Sequence, residues 1–407
     1  MMPAVNDVVI CGAGIAGLAT GITLARAGIE VSVVEIDPGV ALEGTGLTIS
    51  AVGMRAIRDL GIADAVNAHG AGYSDMVIGS AAGVELERVP YPTMAGPAYP
   101  PAGGILRSDF HRLLAQVVEA EGVTIRYGAG VTGFERVRDG VLVRLSDGST
   151  ERTELLVGAD GLRSTVRALA FPGAPEPRHT GQRVWRVRIQ RPKQFPGGDH
   201  GMWYGPISKA GITPLSASDA YLFLVENSVD SARPPREEWQ SRLRHQLAAF
   251  EGVIGWVRDT QLGDLSRIDC RPLYAVLVPL PWHRGRVVLA GDALHATTPH
   301  MASGAAMAIE DAVVLADLLA GETDVETALE EYGRLRFDRC RIVVEHSLQL
   351  GEWEKRPGAS DADPAGLIAS SMAALAQPYR KERSDVPEAA IPARPRRDPE
   401  PPSAGDG

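Results

Sequence analysis

The chain has 407 residues, a hydrophobic content of 44% and a formal net charge of -10 at pH 7. This length predicts two or three domains, and the composition is that of a globular protein with a large apolar core. The acidic balance argues against nucleic acid as a partner, because phosphate binding requires a basic surface. Its three cysteines, Cys11, Cys270 and Cys340, form no C-x-x-C pair. This argues against a disulfide framework or a cysteine zinc site and predicts a cytoplasmic protein.

The first notable segment runs from Val8 to Ala25 and carries no charge over 18 residues. That length is just sufficient to cross a membrane. However, the segment contains four glycines, changes from a strand pattern to a helix pattern, and is bounded by Asp7 and Arg26. We therefore interpret it as a buried strand, turn and helix, and expect neither a signal peptide nor a membrane association.

This segment contains the glycine motif Gly12-x-Gly14-x-x-Gly17. Gly12 permits a tight turn, Gly14 lets the backbone approach a pyrophosphate, and Gly17 lets helix and strand pack closely. Glu35 ends the next predicted strand, where it can accept hydrogen bonds from ribose hydroxyls and disfavours a 2′-phosphate. The motif predicts a site for the ADP part of FAD or NAD rather than NADP, with a ligand-free glycine turn as the alternative.

Further along, α/β segments alternate with strand-rich segments. We predict an α/β fold in which a Rossmann-like nucleotide-binding domain carries an inserted β-sheet domain and ends in a long C-terminal helix. The tail, residues 356–407, is expected to be largely disordered, with one short helix in PAGLIASSMAALA. We expect the nucleotide-binding domain in three pieces and the β-sheet domain in two, at residues 1–72, 105–170 and 282–355 and at residues 73–104 and 171–281, respectively.

A second motif, GADGLRSTVR, spans Gly158 to Arg167. Asp160 follows an apolar strand and precedes Gly161, and Ser164 is placed to cap a short helix. Taken by itself, a strand–turn–helix junction with an Asx turn at Asp160 is the more economical interpretation.

The third motif lies in RVVLAGDALHATTPHMASGAAMAIEDAVVLA, which begins as a strand and ends as a helix. Asp292 ends the strand, where it can bind a ribityl or ribose hydroxyl, and Pro299 stiffens the loop. A metal site formed by Asp292, His295 and His300 is disfavoured, because the loop lacks paired carboxylates and helical ligand spacing. A catalytic triad that uses Ser303 is disfavoured by the absence of a G-x-S-x-G sequence. We therefore predict no metal.

Together and in this order, the three motifs closely resemble those of the class A flavoprotein monooxygenases, which have the para-hydroxybenzoate hydroxylase fold. The resemblance covers roughly residues 5–350 and implies that the Rossmann-like domain binds FAD. Arg107 matches the arginine that opens the family's R..F...L helix near the pyrophosphate, and Pro299 matches the proline beside the reacting flavin edge. By matching motif positions, the expected FAD-binding residues are Gly12, Gly14, Gly17, Glu35, Arg107, Asp160, Gly161, Asp292 and Gly304.

The chain departs from the family pattern at a few positions. Ala302-Ser303 stands where relatives often have Gly-Gln, and only Gly304 of the usual Gly-Gln-Gly remains. Ile36 replaces a common Arg, and Val52 replaces a common Asn. We expect FAD binding to survive the changes at Ile36 and Val52, with a different ring placement or different substrate contacts, and the path of the loop at Ala302-Ser303 to differ.

The resemblance also implies a function. We expect an FAD-dependent monooxygenase that uses NADH or NADPH and O2 to hydroxylate an electron-rich aromatic substrate, phenolic or heteroaromatic, through a C4a-hydroperoxyflavin. The sequence HGMWYG reads as a strand on which His200 and Tyr204 share one face. We expect one of them to orient or deprotonate the substrate, with Pro299 beside the flavin. The alternative is that both are ordinary sheet residues.

Other functions stay open at this point. The same fold supports epoxidation or Baeyer–Villiger-type oxidation of a polyketide- or terpene-like substrate. The Ala302-Ser303 departure also leaves room for a flavin-binding protein without catalysis, and the first motif alone would suit an NAD dehydrogenase. Besides the small aromatic substrate and O2 we expect no partner, and either a monomer or a homodimer.

Overall fold

The computed structural model describes residues 3–39, 44–193, 200–206, 208–321 and 324–380. Within them the strands are β1 Asp7–Cys11, β2 Glu30–Glu35, β3 Gly46–Ile49, β4 Ala71–Tyr73, β5 Asp75–Ser80, β6 Glu85–Pro90, β7 Ala102–Leu106, β8 Thr124–Tyr127, β9 Val131–Val137, β10 Gly140–Leu145, β11 Thr150–Thr153, β12 Leu155–Gly158, β13 Arg178–Gln190, β14 His200–Tyr204, β15 Lys209–Pro214, β16 Asp219–Asn227, β17 Ile268–Ala275 and β18 Val287–Leu289. The α-helices are α1 Ile15–Arg26, α2 Ala51–Asp59, α3 Ala63–His69, α4 Arg107–Ala120, α5 Thr165–Ala170, α6 Trp239–Gln246, α7 Gly252–Thr260, α8 Asp292–His295, α9 Gly304–Gly321, α10 Val325–Glu354 and α11 Pro364–Ala376.

A five-stranded parallel sheet with the order β18-β12-β1-β2-β8 forms the nucleotide-binding part of the molecule. Helix α1 packs closely against this sheet and against α9, because small residues line the contact. A Cβ built on Gly21 would lie 2.8 Å from the Val118 side chain of α4. Close to it, the Thr23 hydroxyl donates to the carbonyl of Ala312 in α9 at 3.0 Å. The predicted α/β fold class is confirmed.

The second large element is a seven-stranded sheet with the order β17-β13-β16-β15-β14-β5-β6. Its outer face is apolar and packs under α6 and α7, with Trp185, Trp203 and Trp239 in one buried cluster. Its inner face turns toward β3, where a Cβ built on Gly46 would lie 1.9 Å from the Tyr221 ring. The inner face therefore forms a wall opposite the parallel-sheet domain.

Two three-stranded sheets complete the fold, with the orders β11-β10-β9 and β3-β7-β4. In the first, antiparallel strands are joined by the turns that Asp139-Gly140 and Asp147-Gly148 predict, with φ of 59° at Asp139 and 86° at Gly148. The second places β3 and β7 between the two large sheets, since Gly104 of β7 approaches the Pro214 carbonyl of β15.

A buried ionic cluster joins α2, α9 and α10. Glu310 of α9 accepts from Arg336 at 2.6 Å, from Arg55 at 3.0 Å and from Arg339 at 3.1 Å. Arg336 also donates to Asp311 at 2.8 Å. Because the acids and guanidiniums are buried together, removing one of them would leave an uncompensated charge in the core and destabilise the fold.

The C-terminal segment contributes α11, which spans the predicted PAGLIASSMAALA helix, and Asp363 caps it by accepting from the backbone N–H of Gly366 at 2.9 Å. The rest of the tail, residues 381–407, lies outside the described residues, and the domain boundaries stay predictions. Among the helices that the structure describes, none is long and apolar enough to cross a membrane.

Candidate active site

All three sequence motifs lie at one edge of the parallel sheet. Gly12, Asp160 and Asp292 follow the carboxyl ends of β1, β12 and β18, which are adjacent strands, and Glu35 ends β2 beside them. The register pairs Cys11 with Gly158, and Gly158 with Leu289, so the three loops begin at the same level. Open α/β sheets bind ligands outside the carboxyl ends of their strands.

The glycine turn is fixed by its backbone. Gly12 has a φ of +105°, and a Cβ at this position would lie 2.5 Å from the Ala159 carbonyl oxygen. A Cβ on Gly17 would lie 1.8 Å from the Gly12 carbonyl oxygen, which explains the close packing of α1. Gly14, in contrast, faces open space within 4 Å and caps α1 without a side-chain bond. The first N–H groups of α1 are therefore free to bind an anion.

Glu35 holds this turn from the neighbouring strand. One carboxylate oxygen accepts the Ala13 N–H at 2.6 Å, and the other accepts the Asp37 N–H at 2.9 Å. On the opposite side, the His111 imidazole contacts the Ala13 carbonyl at 2.6 Å. The Glu35 carboxylate is partly exposed, and its remaining lone pairs can accept from ribose hydroxyls.

The second motif serves the fold directly. Asp160 accepts the Ser164 hydroxyl at 2.5 Å and two backbone N–H groups of α5 at 2.7 and 3.0 Å, so it caps that helix. Arg167 donates to the Ala293 carbonyl at 2.9 Å and thereby joins the second loop to the third. The predicted strand–turn–helix junction is present, and Ser164 caps α5 as predicted by accepting the Arg167 N–H at 2.9 Å. Asp160 binds residues four to six positions later rather than the N–H two positions on that an Asx turn uses, and a cofactor contact at Asp160 stays a prediction.

In the third loop, Gly291 has a φ of +62°, and a Cβ there would lie 2.5 Å from the Ala16 side chain. Asp292 is exposed, and its carboxylate accepts no hydrogen bond from the residues that the structure describes. His295 points the other way and contacts Asp311 at 2.6 Å in the core. We therefore assign His295 a structural role and leave Asp292 as the side chain available to a ligand.

Three buried groups near this loop, His295, Asp311 and Cys340, lie close enough together to hold a metal ion. A cation is already present there, because Arg336 donates to Asp311 at 2.8 Å and lies 3.7 Å from the Cys340 sulfur. Burial lowers the pKa of His295, but Cys340 and Asp311 outweigh it and hold that pKa well above its usual value. These contacts describe a buried charge network that stabilises the fold.

The segment that departs from the family pattern forms a tight turn. Pro299–Met301 is a single 3₁₀ turn, and Ala302 takes the left-handed conformation with a φ of 49° while its N–H donates to the Pro299 carbonyl at 3.0 Å. Ser303 is buried, and its carbonyl accepts the Met307 N–H at 3.0 Å. Helix α9 therefore begins at Gly304 with its first N–H groups unpaired within the helix. Glycine adopts this left-handed conformation with less strain than the alanine that this chain has there.

On the inner face of the seven-stranded sheet, a chain of hydrogen bonds joins four side chains. The Tyr221 hydroxyl lies 2.5 Å from the Thr48 hydroxyl, which lies 3.1 Å from the Thr213 hydroxyl. Thr213 in turn lies 2.8 Å from Nδ1 of His200. We call these four residues the hydroxyl chain. It connects β3 of one sheet to β14, β15 and β16 of another.

His200 sits at the end of the hydroxyl chain in an aromatic environment. Its ring stacks on Tyr73 at 5.3 Å and on Phe223 at 6.1 Å between centroids. Burial lowers the pKa of His200 to about 4, so the imidazole is neutral at pH 7. Tyr204, at the other end of β14, is 48% exposed and lies outside the hydroxyl chain. Of these two residues, only His200 therefore takes part in the hydroxyl chain.

Two arginines lie near the same face, and Asp269 of β17 is the cross-strand partner of one of them, Arg186. Within the described part of the chain, Arg186 of β13 and Arg107 of α4 form no ion pair and no side-chain hydrogen bond. Arg186 is half-buried, and burial, aided by the charge of Arg107, lowers its pKa although Tyr221 opposes the shift. Sequence reasoning missed Arg186, Thr48, Thr213 and Tyr221, because only the pairing of distant strands brings them together.

The comparisons with known proteins agree with this geometry. A family model described as an FAD binding domain matches residues 6–347. The chain belongs to this family. It is an FAD-dependent monooxygenase, and the predicted FAD cofactor and the predicted resemblance to class A flavoprotein hydroxylases are confirmed.

Two relatives and one solved structure illustrate the similarity of this flavoprotein to known enzymes. It is 32% identical to the aurachin C monooxygenase/isomerase of Stigmatella aurantiaca, over 85% of this chain and 90% of the relative. It is 31% identical to 3-hydroxybenzoate 6-hydroxylase 1 of Aquipseudomonas alcaligenes, over 84% and 88%. The structure of Klebsiella pneumoniae HpxO with FAD and uric acid has a TM-score of 0.78 and 24% identity, over 91% and 92%. Because the identity to HpxO is only 24%, this structural similarity shows a shared fold and nothing more.

The residues at the edge of the parallel sheet fit FAD. The open side of Gly14 lets a pyrophosphate approach the backbone, and the start of α1 supplies unpaired N–H groups for it. Asp292 offers a free carboxylate for sugar hydroxyls, and Arg107 offers a free cation. Helix α9 directs a second set of N–H groups into the loop that follows Pro299.

Proposed function

We propose that this flavoprotein hydroxylates a phenolic or heteroaromatic ring that binds between the inner face of the seven-stranded sheet and the loop at Pro299. The observation that carries the proposal is the hydroxyl chain, which ends on the buried, neutral imidazole of His200. NADH or NADPH is the reductant and O2 the oxidant, as is typical of the family.

The proposal assigns FAD to the edge of the parallel sheet, where the cofactor supplies oxygen-activating chemistry when it is bound. The N-terminus of α1 binds the pyrophosphate, Glu35 accepts from the ribose, and Asp292 accepts from the ribityl chain. The N-terminus of α9 stabilises negative charge beside Pro299. The proposed FAD-binding residues are Gly12, Gly14, Gly17, Glu35, Arg107, Asp160, Gly161, Asp292 and Gly304.

In the proposed reaction, the protein activates the ring by taking a proton from its hydroxyl group. Loss of this proton makes a phenol more nucleophilic at carbon. Tyr221 is the end of the hydroxyl chain next to Arg186, and a proton that enters there can pass through Thr48 and Thr213 to Nδ1 of His200. His200 is neutral at the start and can accept this proton, but with a pKa of about 4 it holds the proton only transiently.

Arg186 favours a substrate that carries a negative charge. The positive charge of Arg186 is incompletely compensated, because its neighbour Asp269 pairs with Arg271 at 2.8 Å. Partial burial makes such a charge costly, and the nearby Arg107 raises that cost. A carboxylate or phenolate bound beside Arg186 would compensate both. One relative is named as a 3-hydroxybenzoate hydroxylase, whose substrate is a phenolic acid. We therefore place phenolic acids and acidic heteroaromatics first among the candidate substrates.

The proposal is tested by screening such compounds with the FAD-loaded enzyme for stimulated oxidation of NADH and of NADPH. The expected product carries one new hydroxyl oxygen that derives from isotope-labelled O2. Oxygen inserted across a C=C bond or into a ring would favour the epoxidase or Baeyer–Villiger alternative. A protein that binds FAD but consumes no reductant with any aromatic compound would contradict catalysis altogether.

Variants of the two predicted proton acceptors test the site. His200→Phe keeps the aromatic stack but removes the base, and product formation should fall by roughly 10²-fold, the lower range for losing a general base. Tyr204→Phe removes only an exposed hydroxyl and provides the comparison. If both variants keep wild-type hydroxylation and coupling of reductant to product, the assignment of the proton acceptor is wrong.

A further inference from the structure

A second polar network lies directly behind Pro299, separate from the hydroxyl chain. Nδ1 of His300 lies 2.8 Å from the Thr298 hydroxyl, and Nε2 lies 3.2 Å from one carboxylate oxygen of Glu354. The other oxygen of Glu354 pairs with the ammonium group of Lys209. We call Thr298, His300, Glu354 and Lys209 the His300 network.

The His300 network joins three elements that are far apart in the sequence. Lys209 begins β15 of the seven-stranded sheet, Glu354 ends α10, and His300 lies in the 3₁₀ turn after Pro299. The His300 side chain is fully buried, and those of Lys209 and Glu354 are 9% and 22% exposed. A Cβ on Gly351 would lie 3.2 Å from the His300 ring, so the absence of a side chain there lets α10 approach the imidazole.

The charges within the network balance without a proton on His300. Burial opposes ionisation of Glu354, but Lys209 and His300 outweigh it and lower the pKa of that carboxyl to about 2. Burial lowers the pKa of His300, the hydrogen bond and charge of Glu354 oppose this shift, and the charges of Lys209 and Lys355 add to it. Lys209 and Glu354 therefore form an ion pair, and His300 is neutral.

This charge state fixes the position of the imidazole proton. The ionised Glu354 can only accept, so Nε2 of His300 carries the proton and donates it to Glu354. Nδ1 then has a free lone pair and accepts from the Thr298 hydroxyl. The orientation of both residues that flank Pro299 thus depends on the Lys209–Glu354 pair.

We propose that Lys209 and Glu354 are positioning residues that hold His300 neutral, as a single tautomer, next to the proposed flavin site at Pro299. The inference rests on the proposed function in placing the flavin beside Pro299. Removing the positive charge of Lys209 would leave Glu354 uncompensated in a buried place. His300 would then take up a proton, and a positive charge would appear beside the cofactor.

The experiment follows the His300 imidazole by NMR in FAD-loaded enzyme with isotope-labelled histidine, and the signal is assigned by its loss in His300→Gln. In the wild-type enzyme, the midpoint of the His300 titration should lie below that of an ordinary histidine, because burial lowers its pKa. In Lys209→Met the midpoint should rise, giving a new titration at higher pH. The flavin absorbance, recorded in the same samples, should change with the same midpoint.

Matched variants separate charge from shape. Lys209→Arg keeps the ion pair, and Lys209→Met combined with Glu354→Gln removes both charges, so neither should show the new titration. The flavin inflection should also vanish when His300→Gln is added to Lys209→Met. Lys209→Gln repeats the test with a polar side chain in case Lys209→Met does not retain FAD.

A wild-type His300 midpoint at or above that of an ordinary histidine would overturn the proposal, as would identical midpoints in the wild type and in both neutral variants of Lys209. Neither the NMR titration nor the flavin absorbance needs substrate or turnover, so a failed hydroxylation assay would leave the proposed role of Lys209 and Glu354 unaffected. An imidazole that titrates in Lys209→Met beside an unresponsive flavin would instead overturn the proposed placement of the cofactor at Pro299.

Discussion

The edge of the parallel sheet and the inner face of the seven-stranded sheet are built by different means. At the edge, the conformation depends on backbone: Gly12 and Gly291 have positive φ, and side chains there would meet neighbouring atoms at 2.5 Å. On the inner face, the arrangement depends on side chains from several strands, and Thr48 and Tyr221 are 173 residues apart. The proposed cofactor site is therefore defined mainly by local residue types, whereas the proposed substrate site is defined by strand register.

The largest effect is expected at the edge. Gly12→Ala adds a methyl group against the Ala159 carbonyl at a residue with φ of +105°. Backbone strain and overpacking together should cost roughly 2–6 kcal/mol of unfolding free energy and prevent assembly of the FAD site. The measurement is the FAD content of the purified protein together with its thermal unfolding.

Gly14→Ala is the matched control, since its Cβ would meet nothing within 4 Å and its φ is -74°. The apoprotein should unfold as the wild type does, while FAD affinity falls because the methyl group occupies the space left for the pyrophosphate. Wild-type FAD affinity in Gly14→Ala would contradict the proposed path of the cofactor.

The difference between local backbone features and contacts between distant strands explains which parts of the site could be predicted from the sequence. The glycine turn, the cap at Ser164 and the bounds of α11 depend on residues within a few positions of one another, and local chemistry was enough to predict them. The face shared by His200 and Tyr204 followed from alternation along one strand. The partners of His200 did not, because Thr213 and Thr48 reach it only through the pairing of β14 with β15 and the packing of β3.

The second prediction concerns the burial of His200. Burial lowers its pKa to about 4 from an ordinary value of 6.5. The unfolded chain therefore binds a proton below pH 6.5 that the folded protein does not bind until about pH 4. The free energy of unfolding should fall as the pH decreases through this window. In His200→Phe, the difference in this free energy between neutral and acidic pH should be smaller by roughly 2–3 kcal/mol.

Urea unfolding at neutral pH and at a pH near 4.5 measures this difference. His245→Phe, on an exposed histidine of α6, should leave the pH dependence unchanged. If His200→Phe kept the full wild-type pH dependence, the inner face would be more open to water than its aromatic stack indicates.

A third, smaller effect tests whether the hydroxyl chain acts as a unit. Thr213→Val keeps the shape of the side chain but breaks the link between Thr48 and His200. Buried partners left without hydrogen bonds should cost about 1–3 kcal/mol of unfolding free energy. Because protons could no longer pass along the chain, the amount of product per NADH or NADPH consumed should also fall.

The control for this variant is Thr20→Val in α1, where a fully buried hydroxyl donates to the Ala16 carbonyl at 2.7 Å. It should reduce stability without changing the coupling of reductant to product. Equal coupling in Thr213→Val and Thr20→Val would show that the hydroxyl chain only stabilises the inner face.

The smallest effect is expected at Ala302, where the chain departs from its relatives and backbone conformation again decides. Ala302 has a φ of 49°, which costs a non-glycine residue about 1–2 kcal/mol. Ala302→Gly removes that cost, but the greater entropy of its unfolded chain lowers the free energy of unfolding by about 0.4–1 kcal/mol. A net increase in the free energy of unfolding of roughly 0.5 kcal/mol should therefore remain.

The matched control is Ala305→Gly, three residues later in the first turn of α9. Ala305 has no such strain, and the substitution should lower the free energy of unfolding by roughly 0.5–1 kcal/mol. Chemical unfolding of the two variants should therefore give shifts of opposite sign. Shifts of the same sign would mean that the turn after Pro299 is not left-handed, and the start of α9 beside the cofactor would then have to be placed differently.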